Sequence, residues 1–166
     1  MIHHHAQALV MAAWAPTHGA SPEIRTLAER IEVGQRDEIA GAASWLAEHG
    51  QPVPDVEALV RADSAGAHPP HGMDHAMHMP GMLTADELAR LDAARGSEFD
   101  RLFLTFMIPH HQGAITMVEE LFRSPGAGQD EAVFRFAADV QADQAAEIDR
   151  MQRMLAALPA DASSPP

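Results

Sequence analysis

The chain contains no cysteine. That excludes a thiolate metal site, a disulfide framework and a cysteine nucleophile. Lysine is absent as well, so Arg supplies all 11 basic side chains against 24 acidic ones. A net charge of −13 speaks against nucleic acid as a partner, because a phosphate backbone calls for clustered basic residues. Aromatic residues make up 5% of the chain, which together with few β-branched residues favours helices over sheets. No run of about 18 apolar residues occurs, so no segment reads as a membrane span, and no secretory signal is visible after Met1. Gly-x-Ser-x-Gly, phosphate-cradling glycine loops and His-Glu-x-x-His are also missing. With no nucleophile–base set in view, the chain is not read as an enzyme.

What the chain has instead is ten methionines and eleven histidines in 166 residues, a length that fits one domain. Thioether sulfur and imidazole nitrogen suit Cu(I) and Ag(I), whereas hard ions want carboxylate oxygens. The densest stretch is HPPHGMDHAMHMPGM, residues 68–82. It holds His68, His71, His75 and His78 with Met73, Met77, Met79 and Met82, eight soft donors in fifteen residues. So many soft donors are difficult to explain as a plain linker; the competing reading is a flexible low-complexity loop whose methionines are incidental.

Five of the remaining histidines, His3, His4, His5, His110 and His111, belong to a repeat. Residues 1–11, MIHHHAQALVM, align without gaps on residues 107–117, MIPHHQGAITM, with six identities in eleven. Met1, His4, His5 and Met11 thereby match Met107, His110, His111 and Met117. A second echo sets Ala28, Ile31, Gln35, Glu38, Ile39 and Leu46 against Ala137, Val140, Gln144, Glu147, Ile148 and Leu155. The offset grows from 106 to 109, so each copy reads as helix, turn and helix, with three extra residues in the later turn. Ser21-Pro22-Glu23 predicts one helix start, and capping boxes are expected at Thr84 with Glu87 and at Ser97 with Asp100.

Helices are expected near 2–14, 22–48, 97–123 and 129–157, with short ones near 55–62 and 84–95. The expected architecture is all-α: a four-helix bundle of two duplicated hairpins with a long Met/His-rich crossover. Its single domain would comprise a first hairpin at 1–49, a crossover at 50–96, a second hairpin at 97–158 and a tail at 159–166. Phe103, Met107, His110, Ala114, Met117 and Leu121 form one stripe, and Leu104, Ile108, His111, Ile115 and Val118 the next. Both histidines should therefore point inward, with Pro109 outside. Gln35, Glu38, Gln144 and Glu147 on the partner helices are placed to orient an imidazole, whether it holds a metal or is a hydrogen-bonded core group. Met occupies the place that Glu takes in di-iron bundles, which removes the charge that iron needs.

MPGM at 79–82, FDRLFLTFMIPHHQGAITM at 99–117 and Gln144-x-x-Glu147-Ile148 resemble the CopM-like bacterial proteins. The resemblance covers nearly the whole chain. It implies a ferritin-like four-helix fold, export to the periplasm or cell surface, binding of copper and silver, and support of copper resistance. Carried over residue by residue, it implicates Met107, His110, His111 and Met117, and Met1, His4, His5 and Met11. The family has an Asp and a Phe ahead of the first Met-Ile, as Asp100 and Phe103 stand before the second. Here the chain begins at Met1, so the first helix is expected without its opening turns.

The leading expectation is thus a copper buffer or chaperone, with silver as surrogate and no organic cofactor. Capture is expected to be dominated by residues 68–82, and thioether binding to outlast imidazole binding in mild acid. Its partners would be the metal ion and a second copy or a copper-transfer partner. The alternatives are a redox enzyme with metal on His4, His5, His110 and His111, and a metal-free helical interaction protein.

Overall fold

The computed structural model describes residues 1–18, 21–64 and 79–159. Among these residues are six helices and no strand: α1 (Ile2–Trp14), α2 (Pro22–Glu48), α3 (Val56–Ser64), α4 (Ala85–Ala93), α5 (Gly96–Arg123) and α6 (Glu131–Ala157). Every expected helix is present, with ends within about two residues of those read from capping and periodicity.

Local chemistry sets several of these ends. Ser21 Oγ accepts from the Ile24 N–H at 3.2 Å, and Pro22 follows at a position where no helical N–H is needed. α4 opens with the expected box: the Glu87 N–H donates to Thr84 Oγ1 at 3.3 Å and the Thr84 N–H to Glu87 Oε2 at 2.8 Å. The box expected at Ser97 and Asp100 does not form. α5 starts at Gly96, with Arg95 as a cap residue that makes no side-chain bond. Asp100 is 4% exposed and accepts instead from the Ser21 N–H, at 3.0 and 3.2 Å. A buried carboxylate needs a donor, and the one within reach belongs to the start of α2 rather than to its own helix.

α1 packs with α2 and α5 with α6, as two antiparallel pairs. α1 runs against α5: Met1 rests on the Val118–Ala137–Val140 cluster, His4 on His110, and His18 on Phe99. The main core gathers Met11, Leu27, Ile31, Phe99, Phe103, Met107 and Met151, with Leu88 and Leu91 added by α4. Burying each of these large side chains stabilises the fold by about 1.5–3 kcal/mol. α3 covers Ile2, Leu9 and Ile39 with Val56, Leu59 and Val60. Pro109 sits inside α5 on its exposed side, as expected. Among the described residues no helix is long and apolar enough to cross a membrane.

Candidate metal centre

On all four long helices the apolar pattern is broken at one level. In α1, His4 and His5 separate Ile2 from Ala8 and Met11; in α2, Gln35 and Glu38 separate Ile31 from Ile39. In α5, His110 and His111 lie between Met107 and Val118; in α6, Gln144 and Glu147 lie between Val140 and Met151. The result is a polar layer across the bundle, between the main core and two smaller apolar clusters. His4, His5, His110 and His111 are all fully buried, and Gln35 and Gln144 are 1% exposed.

The four rings form one cluster. His4 and His110 face each other with centroids 3.9 Å apart and planes 35° from parallel. His5 lies 6.0 Å from His4, and His111 lies 6.2 Å from His110. Around them stand oxygens. His111 Nε2 bonds Glu147 Oε2 at 2.7 Å. His5 Nε2 is also 2.7 Å from Glu38 Oε2, but without the alignment of a hydrogen bond. Gln144 Nε2 donates to Glu38 Oε2 at 3.4 Å, and His4 Nε2 meets the Pro80 carbonyl oxygen at 3.0 Å.

Most of the ring nitrogens are left over. His4 Nδ1, His5 Nδ1, His111 Nδ1 and both nitrogens of His110 are buried with no hydrogen-bond partner, as are Gln35 Oε1 and Gln144 Oε1. A buried polar atom without a partner costs about 1–3 kcal/mol, so a concentration of them in one layer calls for an explanation other than stability. Burial drives His4 and His5 down to about 3, and drives His110 well below the ordinary imidazole range, with His4 and His111 adding to the effect. Three of the rings are therefore neutral, the form that ligates a metal. Glu38 moves the other way, to about 8, through burial and the nearby Asp143 and Glu147 carboxylates.

Rings held in the neutral form by burial stay unprotonated in mild acid at this layer.

The structure distributes the candidate residues unevenly. His4, His5, His110 and His111 converge, and Glu38 and Glu147 touch the rings expected for them. His110, expected within reach of one of the Gln or Glu residues, makes no well-formed hydrogen bond to any of them. Met11 and Met107 are buried in the main core, Met1 and Met117 are half-buried, and Met79 and Met82 are half-buried beside the bundle. His71, Met73, His75, Met77 and His78 lie outside the described residues. Among the described residues no group of three or more His, Asp or Glu side chains is arranged to hold one ion.

Four residues went unnoticed in the sequence as parts of this site: Gln7, Pro80, Gly81 and Gly113. Gln7 is 1% exposed and bonds Leu83 twice, accepting from its N–H at 2.7 Å and donating to its carbonyl at 3.1 Å. A β-carbon on Gly113 would fall 1.8 Å from the Pro80 carbonyl oxygen, and one on Gly81 would fall 2.2 Å from that of Pro109. The available signal was that Gly113 stands where the first copy has Gln7.

Fold and layer together define an all-helical bundle protein with a buried imidazole cluster at its middle. The chain belongs to the family described as Domain of unknown function (DUF305), which it matches over residues 1–155. No curated protein matches it. Among solved structures, a DUF305 fragment from Deinococcus radiodurans is 30% identical, covering 94% of this chain and 90% of that one, with a TM-score of 0.75. A Streptomyces coelicolor DUF305 protein, assigned as secreted, is 25% identical over 92% of this chain and 85% of that one, with a TM-score of 0.72. CopM in its Cu(II)-bound form is 28% identical over 94% and 90%, with a TM-score of 0.68. CopM is also similar in Cu(I)-bound and silver-bound forms.

Proposed function

We propose that this protein binds copper as Cu(I), with Ag(I) as surrogate, through histidine and methionine, and buffers or chaperones it in support of metal tolerance. The observation that carries the reading is His110, fully buried with neither ring nitrogen partnered, one helical turn from the buried Met107. Several neutral imidazoles are buried together without partners, which costs stability, and a soft cation is the ligand that neutral nitrogen and sulfur suit best. The copper- and silver-bound forms of CopM support the same reading.

In this reading Met1, His4, His5, Met11, Met107, His110, His111 and Met117 serve the bundle site, and Glu38, Glu147, Gln35 and Gln144 orient its rings. His71, Met73, His75, Met77, His78, Met79 and Met82 provide capture on the crossover. The bundle itself is read as a ferritin-like duplication within one domain, supported by the matching His5–Glu38 and His111–Glu147 distances of 2.7 Å. Export to the periplasm or beyond agrees with the secreted assignment of the Streptomyces relative. No catalytic step is required.

The test is a competition titration with a Cu(I) chelator, on the intact protein and on one with Met73, Met77, Met79 and Met82 changed to Leu. Tight binding that loses affinity and stoichiometry in the variant is expected. Unchanged binding would make the crossover a linker and leave the metal to the helical histidines. An intact protein that takes up no copper would leave only the metal-free reading, and turnover of Cu(I) with oxygen would favour the enzyme.

A further inference from the structure

Residues 79–83 cross the bundle where α1 and α5 face each other, and both helices are shaped to receive them. From α1, the buried Gln7 amide holds the Leu83 backbone at 2.7 and 3.1 Å, and His4 Nε2 meets the Pro80 carbonyl at 3.0 Å. From α5, Gly113 leaves the space that the same carbonyl fills, since a β-carbon there would come within 1.8 Å of it. Gly81 lies so close to Pro109 and His110 that it too has no room for a side chain, and its φ of +77° is one that glycine tolerates. Positions 7 and 113 correspond under the 106-residue offset. One copy therefore grips the strap where the other makes room for it, an asymmetry that suits a segment passing only once.

A carbonyl oxygen only accepts hydrogen bonds, so His4 Nε2 must be the donor. A neutral ring with its proton on Nε2 has a bare Nδ1, and His4 Nδ1 is one of the buried atoms without a partner. We propose that Gln7 is a positioning residue for the metal centre: it clamps the strap so that the Pro80 carbonyl fixes the His4 tautomer and leaves Nδ1 as the ligand nitrogen for a soft monovalent cation. The inference rests on the copper-binding reading above. It also ties the crossover to the bundle, because Met79 and Met82 flank the carbonyl that orients His4. A cation that draws either methionine away shifts that carbonyl, so the two parts of the protein respond to metal together.

The test uses the full, metal-free chain with ¹⁵N-labelled histidine, whose long-range ¹H–¹⁵N spectra read the tautomer of each ring. The wild type should show His4 protonated on Nε2. Gln7→Leu should lose that signature, and Gly113→Ala, which pushes the strap from the opposite helix, should lose it too. The His111 ring, bonded to Glu147, should keep its signature in both and so report an intact bundle. Ag(I) affinity in both variants should fall about tenfold or more, the usual cost of losing a partner that orients a ligand. Wild-type His4 protonated on Nδ1 overturns the inference. Ag(I) uptake by the wild type with an unchanged His4 signature in both variants overturns it and leaves the copper reading standing. A wild type that takes up no Ag(I) overturns both.

Discussion

The imidazoles of His4 and His110, one from each hairpin, face each other at 3.9 Å in the middle of the bundle and are fully buried. The two rings do not bond each other: neither ring nitrogen of His110 makes a well-formed hydrogen bond, and His4 has one only on Nε2. Such a pair costs the fold stability and leaves nitrogen lone pairs without a hydrogen bond.

Replacing His110 by Leu should therefore stabilise the protein in the presence of a chelator, by about 1–3 kcal/mol, because an unpaired buried polar group is removed. The same variant should bind Ag(I) more weakly. Urea unfolding and silver titration on one preparation measure both. A lower urea midpoint would mean that His110 is well hydrogen-bonded in the protein.

Stability should fall in acid and, for a different reason, in base. His4, His5 and His110 have folded pKa values below their unfolded ones, so the unfolded chain binds more protons below about pH 6.5. Their contribution is complete above that value and is lost as pH falls, toward about 3 for His4 and His5, at up to about 1.4 kcal/mol per pH unit for each group. Glu38 is raised to about 8, so its contribution is complete below its unfolded value of 4.5 and is lost as pH rises to 8. Urea midpoints at pH 5, 7 and 9 on the metal-free protein should peak near the middle.

The alkaline limb has its own variant. Glu38→Gln removes the group that must ionise, so its stability should match the wild type near pH 5 and exceed it at pH 9. Equal midpoints at both pH values would show that Glu38 titrates normally.

Asp100 holds the starts of α2 and α5 together through the Ser21 N–H. Asp100→Ala should lower stability by about 1.5–3 kcal/mol, the range for a hydrogen bond to a charged group, and Asp100→Asn by less. Because the contact lies far from the histidine layer along α5, Ag(I) affinity should hold. Thermal unfolding and silver titration would separate the two effects.

The helices were legible because their signals are local. Ser21-Pro22, Thr84 with Glu87, and the three- and four-residue spacing on α5 each act within a turn or two of chain. The repeat carried the site further, since Met-Ile-x-His-His in two copies marked the four histidines and the Gln and Glu residues opposite them.

What that chain order could not decide is which atom meets which. Asp100 had the spacing of a local cap and bonded across the fold instead, because burial left it no water and Ser21 offered a free donor. His110 and His111 are neighbours of one type, yet one is paired with Glu147 and the other with nothing. Periodicity specifies the face of a helix, but a hydrogen bond depends on tenths of an ångström between different helices. Composition and periodicity alone determined that this is an all-helical protein rich in soft donors, with two histidine pairs turned inward. Only the packing of α1 against α5, with Pro80 between them and Gln7 of α1 bonded to Leu83, decided which nitrogens are held and which are left bare, since those contacts join residues 76 positions apart.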